Sequence, residues 1–391
     1  MNSNATEMCK EAGKFEVFLG AVAIVVLSFF SGLCLAGCPS DPEVERTSRS
    51  FYMGFTPFPW DMTAEAVKTT NKFIVENGDI IAHHLDAGVP WSEALDDRPF
   101  HINLQNDWKN RKDASSDMKI FVSVTPLNGG RSGMALHRGK DENMPLPNRF
   151  KDVAFDDPIV KRAYLNYCRR AVEHFKPDYL AIGIEVNELV HHSPRKWPAF
   201  VELYKHTYSE LKTTYPDLPI FATITLHNLT NKGWEDLPLQ QDKVREFLQF
   251  VDVAGISYYP FMAGQSEKPT KILDWVRKFT DKPLAITETG YPAETITLKS
   301  YNIIISSSPA KQAAYFETLF DQAVRDNYLF VIAFLYRDYD ALWEKIKGTA
   351  PEAFIVWKDC GLIDERGNER PAYDVWKRYF SMKRPDTAHY K

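Results

Sequence analysis

The sequence predicts a protein of the α/β class, a single (β/α)8 or TIM-type barrel preceded by an N-terminal leader. From residue 51 onward short apolar or alternating runs recur, and each is followed by a segment with helical period. There are eight such runs, the number that closes a cylinder of parallel strands. No internal repeat or low-complexity stretch argues for a second domain, and no G-x-G-x-x-G follows the first run as a doubly wound dinucleotide fold requires.

The expected strands are Phe51 to Thr56, Asp79 to Asp86, Lys119 to Thr125 and Tyr179 to Glu188, then Ile220 to His227, Asp252 to Tyr259, Pro283 to Glu288 and Leu329 to Asp338. Helical patterns cover Ile159 to Phe175, Ala199 to Tyr215, Val244 to Phe250, Ile272 to Phe279 and Ala310 to Asn327, and a last one, Ala372 to Tyr379, follows the eighth strand. The chemistry of such barrels gathers at the carboxyl ends of the strands. Those ends are polar here: Trp60 and Asp61 after the first, His84 and Asp86 at the second, Asn128 after the third, Asn187 and Glu188 at the fourth, His227 at the fifth, Tyr258 and Tyr259 at the sixth, Glu288 at the seventh, Tyr336 and Asp338 at the eighth. In the fifth run, residues 221–227, the polar side chains share one face and the aliphatic ones the other, so the polar face should line the barrel mouth.

Two carboxylates stand out. Glu288 should share a face with Leu284 and Ile286 and emerge at the top of the interior, and Glu188 should do the same from the fourth strand. Strands four and seven lie across a barrel from each other, so the two groups can converge on one bond. Glycoside hydrolysis needs that arrangement: one carboxylic acid protonates the departing oxygen while the other carboxylate attacks the anomeric carbon or activates a water. The acid must be kept protonated by apolar surroundings or a neighbouring charge, and the nucleophile must be kept ionised by donors such as Tyr258 or Tyr259. Glu185 reads as a charge paired near the sheet.

The first 38 residues are targeting sequence. Val17 to Gly37 carries no charge, Lys10 and Lys14 precede it, and Leu35-Ala36-Gly37-Cys38 has the form of a bacterial lipobox, which makes Cys38 the expected lipidation site. An uncleaved membrane anchor is the alternative, because the apolar run exceeds the roughly 7 to 15 residues of a signal core and approaches the roughly 20 that span a bilayer. Residues 39–50 form a polar linker, 51–380 the barrel and 381–391 a tail, with everything after the leader outside the cytoplasm at the cell envelope.

A net charge of −5 gives no electrostatic reason to bind nucleic acid. Three of the five cysteines lie in the leader, and Cys168 and Cys360 read as two buried free thiols. His83-His84 and His191-His192 offer at most one ligand each to a common site, since adjacent residues on a strand face opposite ways, and no His-x-His is present. No metal and no cofactor is expected. Aromatic residues make up 13% of the chain, which suits sugar stacking, with Trp60, Trp91 and Trp343 as candidate platforms and His84 and His227 as candidate hydroxyl binders. The long third loop, Asn128 to Asp157, should wall the cleft.

At these residues the chain resembles the clan of retaining glycosidases whose acid/base Glu follows Asn on strand four and whose nucleophile ends strand seven. Gly255-Ile-Ser-Tyr-Tyr-Pro-Phe261 and Thr287-Glu-Thr-Gly-Tyr-Pro292 resemble the sixth and seventh strands of family 53, the arabinogalactan endo-β-1,4-galactanases, and the segment 360–376 is similar to the tail of many such barrels. The resemblance implies Glu188 as acid/base, Glu288 as nucleophile, Asn187 as the ligand of the sugar 2-hydroxyl and Tyr258 as the partner of the nucleophile. It also implies a polysaccharide or oligosaccharide substrate with β linkages. Val186 stands where family 53 has Gly, His83 and His84 where it has Arg, and Thr125-Pro-Leu-Asn128 where it has a His-aromatic pattern, so galactan specificity does not carry over with the clan. A glycan-binding surface lipoprotein without turnover is the reading from a different class, and a monomer is expected.

Overall fold

The computed structural model describes residues 47–384, apart from residue 116 and residues 267–268. The lipidation site expected at Cys38, the leader and the end of the tail lie outside the described residues. Among the described residues no helix is long and apolar enough to cross a membrane.

Eight parallel strands close into a barrel: β1 (Tyr52–Phe55), β2 (Ile80–Leu85), β3 (Lys119–Val124), β4 (Tyr179–Ala181), β5 (Ile220–Thr225), β6 (Ala254–Tyr258), β7 (Leu284–Thr289) and β10 (Phe330–Ala333), with β10 pairing both β7 and β1. The two remaining strands, β8 (Ile296–Leu298) and β9 (Ile303–Ile305), form a small antiparallel hairpin in the loop after β7. Each expected barrel strand is present. The fourth is far shorter than Tyr179 to Glu188, because the ladder stops near Gly183, Glu185 takes a left-handed φ of 53°, and Glu188 opens a short helix, Glu188–His192. The last strand likewise stops at Ala333, short of Asp338.

The outer helices follow the periodicity of their apolar residues. In Pro158–Phe175 the buried positions Val160, Ala163, Tyr164, Tyr167, Cys168, Ala171, Val172 and Phe175 recur at helical spacing; Asp157 caps the first turn by accepting from the Ile159 N–H, and Pro158 supplies the preset first φ. Pro309–Arg325 starts the same way, with Ser308 as cap and Pro309 at the first position. Cys168 and Cys360 are free and buried. The helices Ala64–Asn77 and Ile102–Asp113, which the periodicity does not announce, bury only a few residues each.

Inside the cylinder the lower layer is aromatic. Phe121 stacks on Phe221 at 5.6 Å, and Phe330 meets Phe121 at 5.2 Å and Tyr179 at 4.8 Å. Gly255 on β6 makes room for this layer: a Cβ there would lie 2.7 Å from Cε2 of Phe221. The amino-terminal end is fastened by three aspartates that each precede an even-numbered strand. Asp79, Asp178 and Asp252 accept the N–H of Met53 (2.6 Å), Ile120 (2.9 Å) and Ile220 (2.8 Å) on the preceding odd-numbered strand. Their own N–H groups donate to the carbonyls of those same residues at 2.8, 2.8 and 3.0 Å. The last helix, Pro371–Phe380, packs Trp376 against Phe55 at 4.3 Å, and the indole N–H donates to the Asn77 carbonyl at 2.8 Å.

Candidate active site

Glu288 reaches the barrel mouth through a bulge. Against β6, Ile256 pairs Ile286 and the next residue, Ser257, pairs Glu288; against β10, Val331 pairs Ile286 while Ala333 pairs Thr289. One extra residue of β7 is thus inserted on both sides, and it re-aims Glu288 relative to Leu284 and Ile286. Its Oε1 accepts from the Tyr259 hydroxyl at 2.6 Å, and its Oε2 stands 3.4 Å from Nε2 of His84. The ring of Tyr259 is fixed by Trp357, edge-on at 4.5 Å, so the hydroxyl arrives already oriented.

The turn after β4 brings in two more buried carboxyls. Glu185 accepts from the Ser257 hydroxyl at 2.9 Å and meets Nη2 of Arg131 at 3.4 Å, and the same guanidinium lies 3.6 Å from Asp86. Glu188 accepts from Thr225 and from Nδ2 of Asn228 (2.8 Å), and its other oxygen is 3.7 Å from Nε2 of His192.

Burial drives the electrostatics. It pushes the Glu288 carboxyl up, and the charge of Glu185 pushes it further, against the hydrogen bond from Tyr259. Burial raises Glu185 as well, opposed by Arg131 and Ser257. The charge on Glu185 thus favours the protonated form of Glu288, and two buried carboxyls so placed do not titrate independently. Glu188 is pushed up to about 7 by burial, opposed by Thr225 and Asn228. Burial lowers His84 to about 4, which favours the neutral ring, and its Nδ1 is hydrogen-bonded with the Ser123 hydroxyl at 2.9 Å.

Tyr258 is not the partner of Glu288: its ring packs edge-on to Tyr315 at 6.3 Å and its hydroxyl is buried without a hydrogen-bond partner, while Tyr259 makes the bond. Asn187 is fully buried, and its amide is occupied by Thr225 (Nδ2 to Oγ1 2.9 Å) and Gln240 (3.1 Å), so it holds the turn after β4. His227 is buried, with Nδ1 accepting from the Tyr259 N–H at 3.4 Å, so it supports the tyrosine. Asn128 caps the third loop by accepting from the N–H groups of Ser132 (2.9 Å) and Gly133 (3.2 Å). Trp91 is a core residue whose indole N–H donates to the Ala135 carbonyl. Trp60 is half-buried with the Arg337 guanidinium 4.0 Å over its ring, and Trp343 is half-buried against the core.

Arg131, Ser257 and Tyr339 were not singled out from sequence. Arg131 is delivered by the Gly-Gly-Arg-Ser-Gly loop that Asn128 caps, and the only sign of it was one cation in a glycine-rich loop at a strand end. Tyr339, in the loop after β10, is buried with its hydroxyl unpartnered and feels the charge of Glu288. Among the described residues, Glu294, Asp338 and Asp359, and also Asp338, Asp340 and Glu365, bring three oxygens close enough to hold one ion, but Asp338 is already paired with Arg370.

The closed parallel barrel, with buried carboxyls gathered at the carboxyl ends of its strands, defines the class by fold: a (β/α)8 barrel. Residues 161–330 match the sequence profile described as glycosyl hydrolase family 53. No curated protein matches the chain by sequence. Among solved structures, it is similar to GH5_18 from Streptomyces cattleya in complex with GlcNAc, at 13% identity and a TM-score of 0.60 over 86% of this chain and 82% of that one. The Ignisphaera aggregans GH53 catalytic domain aligns at 17% identity and a TM-score of 0.53 over 86% and 92% of the respective chains. Native xylanase 10B from Thermotoga maritima aligns at 13% and 0.56 over 85% and 95%. At these identities the structural likeness concerns the fold.

Proposed function

We propose that the protein hydrolyses β-linked glycans with retention of configuration, in the manner of an endo-β-1,4-galactanase. Glu288 is the nucleophile and a carboxylic acid on the turn after β4 is the proton donor. The carrying observation is the convergence on one barrel mouth of Glu288, bonded to Tyr259, and the buried carboxyls of residues 185–188. The match of residues 161–330 to family 53 and a fold shared with two fungal β-1,4-galactanases (15% identity, TM-score 0.52, 79% of this chain and 90% of theirs) support the galactan reading. In this reading His84 and Tyr339 present polar atoms beside the nucleophile for sugar hydroxyls, and Trp60 and Trp343 flank the cleft. Residues 51–380 work as a monomer outside the cytoplasm, tethered through the linker 39–50 to a lipid on Cys38; the uncharged run ending in Leu35-Ala36-Gly37-Cys38 supports the tether.

The test is digestion of a panel of β-linked polysaccharides and aryl glycosides, galactan included, with the anomeric configuration of the first product followed by NMR. Turnover that vanishes in Glu288→Ala, with the β-anomer released first, is the expected result. Tight glycan binding without turnover in the native protein would establish a binding scaffold instead. The mass of the mature N-terminus decides between a lipidated Cys38 and an uncleaved anchor.

A further inference from the structure

The Asn-Glu pair draws attention to Glu188, yet three observations single out its neighbour. The first is reach. Glu185 crosses from β4 to the Ser257 hydroxyl on β6, and Ser257 is the register partner of Glu288 on the adjacent strand. The carboxylate of Glu185 is also the charge that acts most strongly on Glu288. Glu188, by contrast, is bound by Thr225 on β5, Asn228 just beyond it and His192 on its own short helix.

The second observation is backbone strain. Glu185 has φ 53°, a left-handed conformation that crowds the Cβ of any residue bearing a side chain. Thr223 holds it there by accepting the Glu185 N–H on its hydroxyl (2.8 Å) and the Val186 N–H on its carbonyl (2.9 Å). Such conformations persist where surrounding structure imposes them, and they cluster at reacting groups. Here the kink turns the carboxyl of Glu185 toward β6.

The third is access and company. The side chain of Glu185 is 9% exposed and that of Glu188 4%, so Glu185 is the more open of the two. Arg131 sits between Glu185 and Asp86, so its cation is divided between two carboxylates and does not pin Glu185 in the ionised form.

We propose that Glu185, not Glu188, is the acid/base, an inference that rests on the glycoside hydrolase reading above. In the first step a Glu288 oxygen bonds to the anomeric carbon as its bond to the glycosidic oxygen breaks. That bond's electron pair goes to the leaving oxygen, which takes the proton from the Glu185 carboxyl. In the second step the Glu185 carboxylate accepts a proton from water while the water oxygen bonds to the anomeric carbon and the ester to Glu288 is released. Glu188 is then a positioning residue that holds the end of β5 against the turn.

The full-length Glu185→Gln and Glu188→Gln variants test this with aryl β-glycosides of graded leaving-group acidity, with and without azide. Glu185→Gln should lose about 10²–10⁴-fold on poor leaving groups and far less on a dinitrophenyl leaving group, and azide should accelerate it and yield a β-glycosyl azide. Glu188→Gln should show a loss that is uniform across leaving groups and untouched by azide. Glu185→Asp, which keeps the acid on a shorter arm, serves if the amide variant does not fold, and it should show the same leaving-group dependence. The reverse assignment, or azide rescue in neither variant, overturns the inference. Absence of turnover in the native protein on every glycoside would instead overturn the underlying hydrolase reading.

Discussion

Replacing Tyr259 by Phe deletes one atom from the site and leaves its ring in place, since Trp357 at 4.5 Å, Phe261 at 6.0 Å and Phe334 at 6.3 Å fix it independently of the hydroxyl. What disappears is a 2.6 Å hydrogen bond to a buried carboxylate. Hydrogen bonds to charged groups contribute about 1.5–3 kcal/mol. At 1.36 kcal/mol per decade, that corresponds to a fall of roughly 10- to 150-fold in kcat/KM if the bond supports the ionised nucleophile through the transition state. The same bond holds the Glu288 carboxyl down against burial and Glu185, so its loss raises the pH at which Glu288 ionises. A nucleophile acts only when ionised, so the acid limb of the pH profile should move to higher pH. Steady-state kinetics on an aryl glycoside across pH reads both effects. Tyr258→Phe is the control: its hydroxyl has no hydrogen-bond partner, so kcat/KM should stay within about twofold. A loss below about threefold in Tyr259→Phe, or an unmoved acid limb, would refute the assignment of Glu288 and its partner.

Other outcomes follow from packing and burial. Gly255→Ala places a Cβ 2.7 Å from the Phe221 ring and 3.1 Å from Thr287, so thermal unfolding should show a loss of about 1–3 kcal/mol; an unchanged Tm would mean the aromatic layer yields more easily than its contacts suggest. Trp376→Ala empties a fully buried site beside Phe55 and frees the Asn77 carbonyl, with an expected loss of about 3–5 kcal/mol by denaturant titration. Glu188 is raised from 4.5 to about 7 in the folded chain, so its contribution to stability is complete below pH 4.5 and lost as pH rises through 7. Glu188→Gln cannot ionise and should be more stable than the native protein above that pH, by on the order of 3 kcal/mol, with no advantage near pH 4; parallel Tm curves for the two proteins from pH 4 to 8 would contradict this.

The barrel could be anticipated because parallel strands carry two independent signals, apolar continuity and a polar carboxyl end, and both repeat along the chain. Position within the site was harder to read. The run from Ile182 to Glu188 looks like more strand, but Glu185 turns left-handed and composition carries no mark of that. The bulge in β7 adds one residue without altering the apolar character of Leu284 to Ile286, so simple alternation reached Glu288 by the wrong geometric route. The choice between Tyr258 and Tyr259 did leave a sign: Gly255 fits beneath the Phe221 ring inside the barrel, and counting by two from it gives Ser257 and Tyr259. Arg131 meets Glu185 through a loop fold that Asn128 organises, and no local pattern foretells such a meeting.

Asp79, Asp178 and Asp252 each tie two neighbouring strands together through a reciprocal pair of bonds to one residue. Such a two-point clamp admits a single vertical alignment, and sliding by one residue would swap every side chain to the opposite face. A six-residue strand is roughly 20 Å long, so these clamps set the height of groups at the far rim without touching them. Loops at that rim are therefore free to change length and composition while the heights of the strands beneath them stay fixed.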